Sequence, residues 1–337
     1  MTPVVPWSIK LLKCSPNHYE TFDETLDAMK FSIAQGSRQG PRPYNQDRLA
    51  YSYHRHSILM VLADGMGGHQ HGDVAAEIAV KTMVEAFQRE SDPLIAQPAQ
   101  FLREQIGQVH DVIENVRVRK KLSESPRTTI VVALIQHNKL FCAHVGDSRL
   151  YLYRNGLEEF QTQDHSVVQS LLREGRITAE QIERHPHRNK IYNCLGGDKP
   201  PQVELADPMP LSEGDVILLC SDGVWNTVPA ITMAQHMLAA NMQDGVTRLL
   251  DDADTASITV GDNMSAIALQ WGERNTAPLA VSTLDLPGDG TTTMLNHAGT
   301  MPHPHALDLT DDEIEKAIAD IQDALGRTGQ HLKKQET

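Results

Sequence analysis

The chain has 337 residues, enough for one large domain or two ordinary domains with a sizeable core. Its 40% hydrophobic and 22% charged residues are ordinary for folded domains, which excludes a wholly disordered or collagen-like chain. Acidic residues (44) exceed lysines and arginines (30) by 14, and no long basic block interrupts this excess, so nucleic acid is a poor partner.

The sequence also bears on the compartment. No apolar run approaches the roughly 18 residues that span a bilayer, and residues 1–10 lack the basic and apolar segments of a secretion signal. The four cysteines lie far apart without a Cys-x-x-Cys pair, which disfavours a zinc ribbon or a disulfide framework; they are Cys14, Cys142, Cys194 and Cys220. We therefore expect a cytoplasmic protein with reduced thiols and no membrane partner.

Residues 1–30 show no clear hydrophobic period, and we interpret them as an N-terminal extension. Beyond them, short apolar runs without alternation predict strands that are covered on both faces. These runs are residues 58–63, 130–135, 140–145, 216–220 and 266–269.

Two helical patterns lie between the first two of these runs. Asp73 is placed to cap the first helix, whose apolar positions extend over residues 75–87, and the second pattern covers residues 101–116. Two helices in succession followed by strands in series do not alternate as in a parallel doubly wound sheet. The order predicts an α+β fold in which antiparallel sheets are sandwiched between helices.

Apolar density drops over residues 166–197, where short helical pieces appear. One of them opens with the capping box Thr178 to Gln181, and the segment ends near the turn-like pair Gly196-Gly197. This pattern indicates a surface flap subdomain.

The composition changes again near the end of the chain. Residues 273–306 are rich in Thr, Pro, Gly and His without a period, which is typical of a linker. Residues 307–337 follow, and Thr310 with Glu313 forms a capping box for an amphipathic helix over about residues 311–325. This C-terminal helix is expected either to dock on the preceding domain or to bind a separate partner.

Four aspartates stand beside glycine, serine or asparagine at or near the ends of predicted strands; they are Asp64, Asp147, Asp222 and Asp262. Any one of them alone is commonly a turn former or a helix cap. If the strand ends meet, however, four carboxylates share a small volume and need cations to stay ionised. Oxygen ligands without histidine or cysteine favour Mg2+ or Mn2+. Two such ions about 3.5 to 4 Å apart would activate a bridging water for hydrolysis of a phosphoester.

A series of short motifs extends this hypothesis. In chain order they are Arg42 with Asn45-Gln46-Asp47, Asp64-Gly65-Met66-Gly67-Gly68-His69, Thr128-Thr129, Gly146-Asp147-Ser148-Arg149, Asp164-His165-Ser166, Ser221-Asp222-Gly223-Val224-Trp225 and Asp262-Asn263-Met264-Ser265. The series resembles the metal-dependent protein serine/threonine phosphatases of type 2C, in their bacterial-type branch. The resemblance covers residues 31–272, which we interpret as the catalytic domain. It implies a four-layer α-β-β-α sandwich, two antiparallel sheets flanked by helices, in agreement with the layered prediction.

The resemblance also implies a set of metal ligands. Asp64 matches the carboxylate that bridges two metals, and the main-chain carbonyl of Gly65 matches a ligand of one of them. Asp222 and Asp262 match the ligands of the other metal. Asp147 matches the carboxylate that holds a third, weaker ion.

The resemblance assigns roles to two further residues, and the chain departs from the family pattern at two positions. Asp47 matches an acid that hydrogen-bonds metal-bound water, and Arg42 matches the guanidinium that grips the substrate phosphate. Met66 stands where the other branch has a histidine proposed as general acid, and methionine cannot donate a proton. His69, nearby, is better interpreted as a surface histidine. Gln46 replaces a glutamate of many relatives, so metal affinity is expected to be weaker.

The implied function is hydrolysis of phosphoserine and phosphothreonine in proteins, by attack of a water bridging two Mg2+ or Mn2+ ions. The enzyme would reverse a cytoplasmic Ser/Thr kinase, so phosphoprotein substrates and a cognate kinase are the expected partners. One alternative is a member of the same superfamily that dephosphorylates a single protein of the anti-sigma-antagonist type. Another is a catalytically inactive module that binds phosphoproteins, which the four intact aspartates disfavour.

Overall fold

The computed structural model describes residues 29–66, 71–91, 94–182, 184–257, 261–272, 281–282, 291–295 and 313–321. The strands are β1 (Lys30–Arg38), β2 (Asp47–Tyr53), β3 (Ser57–Asp64), β4 (Ile130–Gln136), β5 (Lys139–Val145), β6 (Arg149–Arg154), β7 (Leu157–Gln161), β8 (Glu204–Leu205), β9 (Met209–Pro210), β10 (Val216–Cys220), β11 (Met264–Trp271), β12 (Val281–Ser282) and β13 (Thr291–Leu295). The helices are α1 (Gly72–Glu90), α2 (Pro98–Lys120), α3 (Val167–Arg173), α4 (Ala179–Ile182), α5 (Asp222–Trp225), α6 (Ala230–Met237), α7 (Met242–Ala256) and α8 (residues 313–321). Residues 1–28 of the predicted N-terminal extension lie outside the described residues.

The strands form two antiparallel sheets. The first sheet has the order β12-β1-β11-β10-β6-β7, and the second has the order β13-β2-β3-β4-β5-β8, with β9 also paired to β5. The five apolar runs predicted as strands lie within β3, β4, β5, β10 and β11, so these predictions are confirmed.

Three apolar layers explain why these strands are apolar on both faces. In β3, Met60 and Leu62 pack between the two sheets, whereas Leu59 and Val61 pack against α1 and α2. In β11, Ile267 faces the other sheet, and its neighbours pack against α6 and α7. Because side chains alternate along a strand, each central strand supplies two cores at once. The result is the predicted α-β-β-α sandwich.

Helix α1 begins differently from the prediction. Its N-cap residue is His71, which has a left-handed backbone (φ 68°) and makes no side-chain capping bond. Asp73, expected to cap the helix, instead lies within the first turn. There its negative charge faces the positive end of the helix dipole, which also favours the helix.

None of the helices in the described part of the chain combines the length and hydropathy that a membrane-spanning segment requires.

The flap contains the short helices α3 and α4. The Ser166 hydroxyl caps α3 by accepting a hydrogen bond from the Gln169 amide at 3.3 Å. The Thr178 amide donates to the Gln181 side chain at 2.8 Å, which is one half of the predicted capping box. The flap rejoins the domain at Gly196, where a Cβ atom would lie 2.0 Å from the Pro126 carbonyl oxygen.

The C-terminal segment returns to the domain at three places. Strand β12 pairs with β1, strand β13 pairs with β2, and α8 buries Ile314, Ala317 and Ile318 in the core formed by α1, α2 and the second sheet. An ion pair of 2.8 Å joins Lys120 to Glu313, and Arg119 pairs with Asp320.

These contacts revise the interpretation of residues 273–306 as a linker without regular structure. Residues 281–282 and 291–295 are strands, because β1 and β2 offer otherwise unpaired edges to which extended chain can bond. Of the two roles considered for the C-terminal helix, docking on the domain is the one in the structure. Thr310 and residues 322–325, parts of the predicted helix and its cap, lie outside the described residues.

Candidate metal centre

Asp47 and Asp64 face each other across two neighbouring strands. Asp47 is the first residue of β2 and Asp64 the last residue of β3, and they are paired in the register. Thr129 fixes the end of β3, because its hydroxyl accepts from the Asp64 amide at 3.1 Å and its amide donates to the Asp64 carbonyl at 2.9 Å. Asp47 is fully buried, and its Oδ2 accepts a hydrogen bond from the Ser221 hydroxyl at 2.9 Å. The two sheets are therefore joined directly beneath the aspartates.

Asp222 enters the same region from the first sheet. It follows Ser221 at the end of β10 and is the first residue of α5. Ser221 is bound to Ser265 of the neighbouring strand in both directions, at 3.1 and 3.0 Å. A Cβ atom at Gly223 would lie 2.1 Å from the Asn263 carbonyl oxygen, so this turn packs against the loop that carries Asp262.

The Asn263 side chain holds that loop in place. Its amide group donates to the carbonyls of Gln39 and Tyr44 at 2.8 and 3.0 Å, and its oxygen accepts from the Gln46 amide at 2.8 Å. Asn263 therefore fixes Asp262 relative to the loop that precedes β2 and carries Arg42.

Asp147 lies in the turn between β5 and β6. The side chains of Trp225 and Arg149 support that turn. The Trp225 indole donates to the Asp147 carbonyl at 2.9 Å. The Arg149 guanidinium lies 3.5 Å from the centre of the Trp225 ring and binds Asp164 through two hydrogen bonds of 2.8 Å. The backbone of Asp147 is thus tied to α5, the helix that begins with Asp222.

Mutual repulsion shows that these carboxylates share a small volume. The pKa of Asp64 is raised well above its usual value, first by burial and then by the charges of Asp47, Asp222, Asp262 and Asp147. Burial and then the charges of Asp147, Asp262 and Asp47 likewise raise the pKa of Asp222 well above its usual range. Burial raises the pKa of Asp47 to about 6, and burial followed by the charge of Asp164, outside this cluster, raises that of Asp147 to about 7.

The donor set fits Mg2+ or Mn2+. Asp47 Oδ1 and Asp222 Oδ1 are both buried and have no hydrogen-bond partner among the described residues, which is costly for a carboxylate unless another group binds it. The side chains that converge here offer carboxylate oxygens, the ligands that hard divalent cations prefer. A divalent ion would remove both the repulsion and the unpaired oxygens.

Arg42 lies at the exposed edge of this site. Its Nη2 donates to Asp262 Oδ2 at 2.6 Å, and its Nε donates to the Gly261 carbonyl at 3.1 Å. The structure therefore places Arg42 beside Asp262, with two of its nitrogens bonded to the Asp262 loop.

The segment after Asp64 is sterically restricted. A Cβ atom at Gly65 would lie 2.3 Å from the Gly72 carbonyl oxygen, so only glycine fits this position. The Met66 amide donates to the Arg127 carbonyl at 2.9 Å. His69 lies outside the described residues.

A second group of potential metal ligands is formed by His144, His165 and Glu204. The Gly146 amide donates to His165 Nδ1 at 3.1 Å, so the ring proton is on Nε2, which faces Glu204 Oε2 at 3.1 Å. His144 Nε2 donates to the Gln163 carbonyl at 2.8 Å. These bonds use the Nδ1 lone pair of His165, and a metal bound at its Nε2 would displace that proton. The group is a satisfied hydrogen-bond network.

Sequence reasoning gave no role to several residues that shape the site. Ser221, Trp225 and Asn263 stand inside motifs quoted for the resemblance, but nothing in their spacing indicates bonds to Asp47, Asp147 or the Arg42 loop. Pairing of the GDSR and DHS motifs would have suggested the Arg149–Asp164 pair. Arg127 carried no signal at all.

A layered sandwich with acidic side chains gathered where both sheets end forms a site suited to hard divalent cations. The sequence model of the family described as Protein phosphatase 2C matches residues 38–257. The chain belongs to this family.

Relatives support the same assignment. The chain is similar to the serine/threonine phosphatase stp of Listeria monocytogenes, with 36% identity over 178 residues, 52% of this chain and 70% of that protein. Among solved structures, it is similar to the S. agalactiae serine/threonine phosphatase, with a TM-score of 0.66, 27% identity, and coverage of 72% of this chain and 100% of that one. It is also similar to the catalytic domain of the phosphatase PstP in complex with two manganese ions, with a TM-score of 0.60, 26% identity, and coverage of 73% and 100%. The protein is therefore a serine/threonine phosphatase of a Mg2+- or Mn2+-dependent family.

Proposed function

We propose that the protein hydrolyses phosphoserine and phosphothreonine by direct attack of water, without a phosphoenzyme. Asp64, Gly65, Asp222 and Asp262 would hold two Mg2+ or Mn2+ ions, and Asp147 a third. The observation that supports this proposal best is the mutual repulsion of the clustered carboxylates together with the unpaired buried oxygen of Asp222. When bound, the ions would neutralise this charge, polarise the phosphate and lower the pKa of water.

Asp47 is suited to orient the attacking water. The Ser221 hydroxyl donates to Asp47 Oδ2, and the buried Oδ1 accepts no hydrogen bond from a described residue. A carboxylate fixed through one oxygen can accept a hydrogen bond from water through the other. We assign to Asp47 this orienting role in the attack.

Arg42 is suited to bind the substrate phosphate. It is exposed at the edge of the site, and Nη1 makes no hydrogen bond to a described residue. Its planar donors can contact two phosphate oxygens at once. Because Met66 cannot act as an acid, the proton of the leaving alkoxide must come from water or another side chain.

The same proposal includes the cellular role. The protein would reverse phosphorylation by a Ser/Thr kinase in a reducing, cytoplasmic compartment.

Cys142 and Cys220 are free and buried. Burial raises the pKa of the Cys220 thiol to about 12, so this thiol is not a nucleophile.

The direct test uses protein stripped of metals with EDTA. Phosphothreonine, phosphoserine and phosphotyrosine peptides are each incubated with this protein, with and without added Mn2+ or Mg2+, and released phosphate is measured. We expect release from the first two peptides only when a metal is added. Release without metal, or release confined to phosphotyrosine, would contradict the proposal.

A further inference from the structure

A cleft of about 430 Å³ opens between the loop before β4 and the end of the flap. Its walls include Arg127 on one side and Tyr192, Cys194 and Lys199 on the other. None of the carboxylates of the metal centre lines the cleft, and the proposed mechanism does not use it.

Arg127 brings an unpaired cation to this cleft. Its Nε is buried without a hydrogen-bond partner, and no ion pair joins its guanidinium to a carboxylate of the described residues. The guanidinium lies beside Gly197, where a Cβ atom would be 3.5 Å from both Nε and Nη2. Gly197 has a φ of 96°, so its backbone conformation favours glycine at this position. A buried guanidinium nitrogen without an acceptor calls for an anionic ligand.

The remaining charges around the cleft leave this cation available. Lys199 adds a second positive charge and has no ion pair within the described part of the chain. Asp198 is the acidic residue of the lining, and it also acts on Arg117, whose pKa is raised first by Glu114 and further by Asp198. Glu114 is itself occupied by Arg117 and by the Gly197 amide.

The cleft is rigidly linked to the metal centre. The Arg127 carbonyl accepts from the Met66 amide at 2.9 Å, two residues beyond Asp64. Thr128 and Leu195 exchange two backbone hydrogen bonds of 3.2 and 2.9 Å, which join the two walls. The backbone of Arg127 therefore lies beside the segment that follows Asp64.

We propose that the cleft lined by Arg127 and Lys199 is a specificity subsite for an anionic side chain of the phosphoprotein substrate. This inference rests on the proposed phosphatase function. The ligand is a carboxylate or a second phosphate that flanks the residue being hydrolysed, and Arg127 binds it through the paired donors of its guanidinium. In a chain with a net charge of −14, such a local cation allows an acidic substrate segment to approach the site.

The test uses a phosphothreonine peptide with neutral flanks and a set of copies. In each copy, one glutamate or one phosphoserine occupies a single flanking position, and kcat and KM are measured for every peptide. For the unaltered protein we expect the anion at one position, or at two adjacent positions, to raise kcat/KM about tenfold, mainly through KM. The glutamate and phosphoserine copies distinguish the two sources of the anion.

Three variants decide the assignment. Arg127→Gln and Lys199→Gln each remove one positive charge, from opposite walls of the cleft. Each is expected to reduce the tenfold preference to less than threefold. Arg188→Gln removes an exposed flap arginine that does not line the cleft, and should keep the preference. The preference is a ratio within one variant, so a partial loss of folded protein does not alter it, and Lys199→Gln carries the test if Arg127→Gln does not fold.

Two results separate this inference from the function beneath it. If the unaltered protein hydrolyses the neutral peptide but shows no anion preference, or if both cleft variants keep it, the subsite is overturned and the phosphatase function stands. If the unaltered protein hydrolyses none of the peptides with Mn2+ present, the proposed function itself fails.

Discussion

The Asp222 carboxylate lies among other aspartates, and one of its oxygens has no hydrogen-bond partner. In the proposed metal centre this carboxylate would bind a cation, and the cation would compensate the buried charge. Replacing it with the isosteric amide removes the charge and leaves the surrounding backbone unchanged. The activity should therefore respond far more than the fold.

Asp222→Asn is expected to lower kcat about 1000-fold at saturating Mn2+, a loss of roughly 4 kcal/mol of transition-state stabilisation. Phosphate release from a phosphothreonine peptide measures the effect, and Asp207→Asn, at an exposed position, is the matched control. A variant that keeps more than a tenth of the wild-type turnover would remove Asp222 from the metal centre.

The raised pKa values of Asp47 and Asp147, about 6 and about 7, predict how pH acts on the metal-free protein. An aspartate whose pKa is higher in the folded state than in the unfolded state favours folding when it is protonated. This contribution is complete below pH 4 and is lost as the pH rises through about 6 to 7.

Bound Mn2+ should therefore raise Tm more at pH 8 than at pH 5.5, because the ion binds ionised carboxylates and protonation at the lower pH competes with it. Thermal unfolding of EDTA-treated protein with and without Mn2+ at both pH values provides the comparison. An equal or larger rise at pH 5.5 would show that protonation of these carboxylates does not compete with the metal.

Trp225 tests the support beneath Asp147. Trp225→Phe removes the hydrogen bond from the indole to the Asp147 carbonyl but retains an aromatic ring under Arg149. The loss of one such bond, about 1 kcal/mol, should raise the Mn2+ concentration required for half-maximal activity about fivefold. A loss of more than 100-fold in kcat at saturating Mn2+ would instead give Trp225 a direct part in the reaction.

At the scale of elements, the described parts of the C-terminal segment, residues 281–282, 291–295 and 313–321, extend the two sheets and the core. Strands β12 and β13 cover the edges of the two sheets beside β1 and β2, and α8 extends the core against α2. None of these pairings involves an aspartate of the metal centre, although β13 reaches Leu49, two residues from Asp47. The segment should therefore stabilise the domain more than it affects catalysis.

Two truncations separate these contributions. A chain ending at Leu295 loses α8, and a chain ending at Gly272 also loses β12 and β13, so we expect Tm to fall in two steps. Turnover of a phosphopeptide should stay within about threefold of the full-length value, roughly 0.6 kcal/mol in barrier height. A truncated protein that is folded and binds Mn2+ but has lost its activity would make the segment part of the working enzyme.

For the whole molecule, the sequence predicted the layered fold because its central strands are buried on both faces. β3 and β11 each serve two cores, so their apolar runs stand out without any knowledge of partners. The aspartates were found for a related reason, since strands that end together leave their turn residues at one edge of the sandwich.

What the sequence missed depends on contacts between distant segments. Ser221 binds Asp47 across 174 positions of the chain, and no local pattern encodes that bond. Strand β13 begins with three threonines, and its extended conformation depends on pairing with the edge of β2. Nothing in the sequence around Arg127 indicates that this residue lines a cleft.

The central claim is that aspartates from four loops of the two sheets form one metal centre. Anomalous diffraction from crystals grown with Mn2+ tests it directly, because the signal marks the ions themselves. The account predicts two manganese peaks within coordination distance of Asp64, Asp222 and Asp262. Manganese bound only elsewhere, for example beside His144, His165 and Glu204, with these aspartates free of metal, would contradict it.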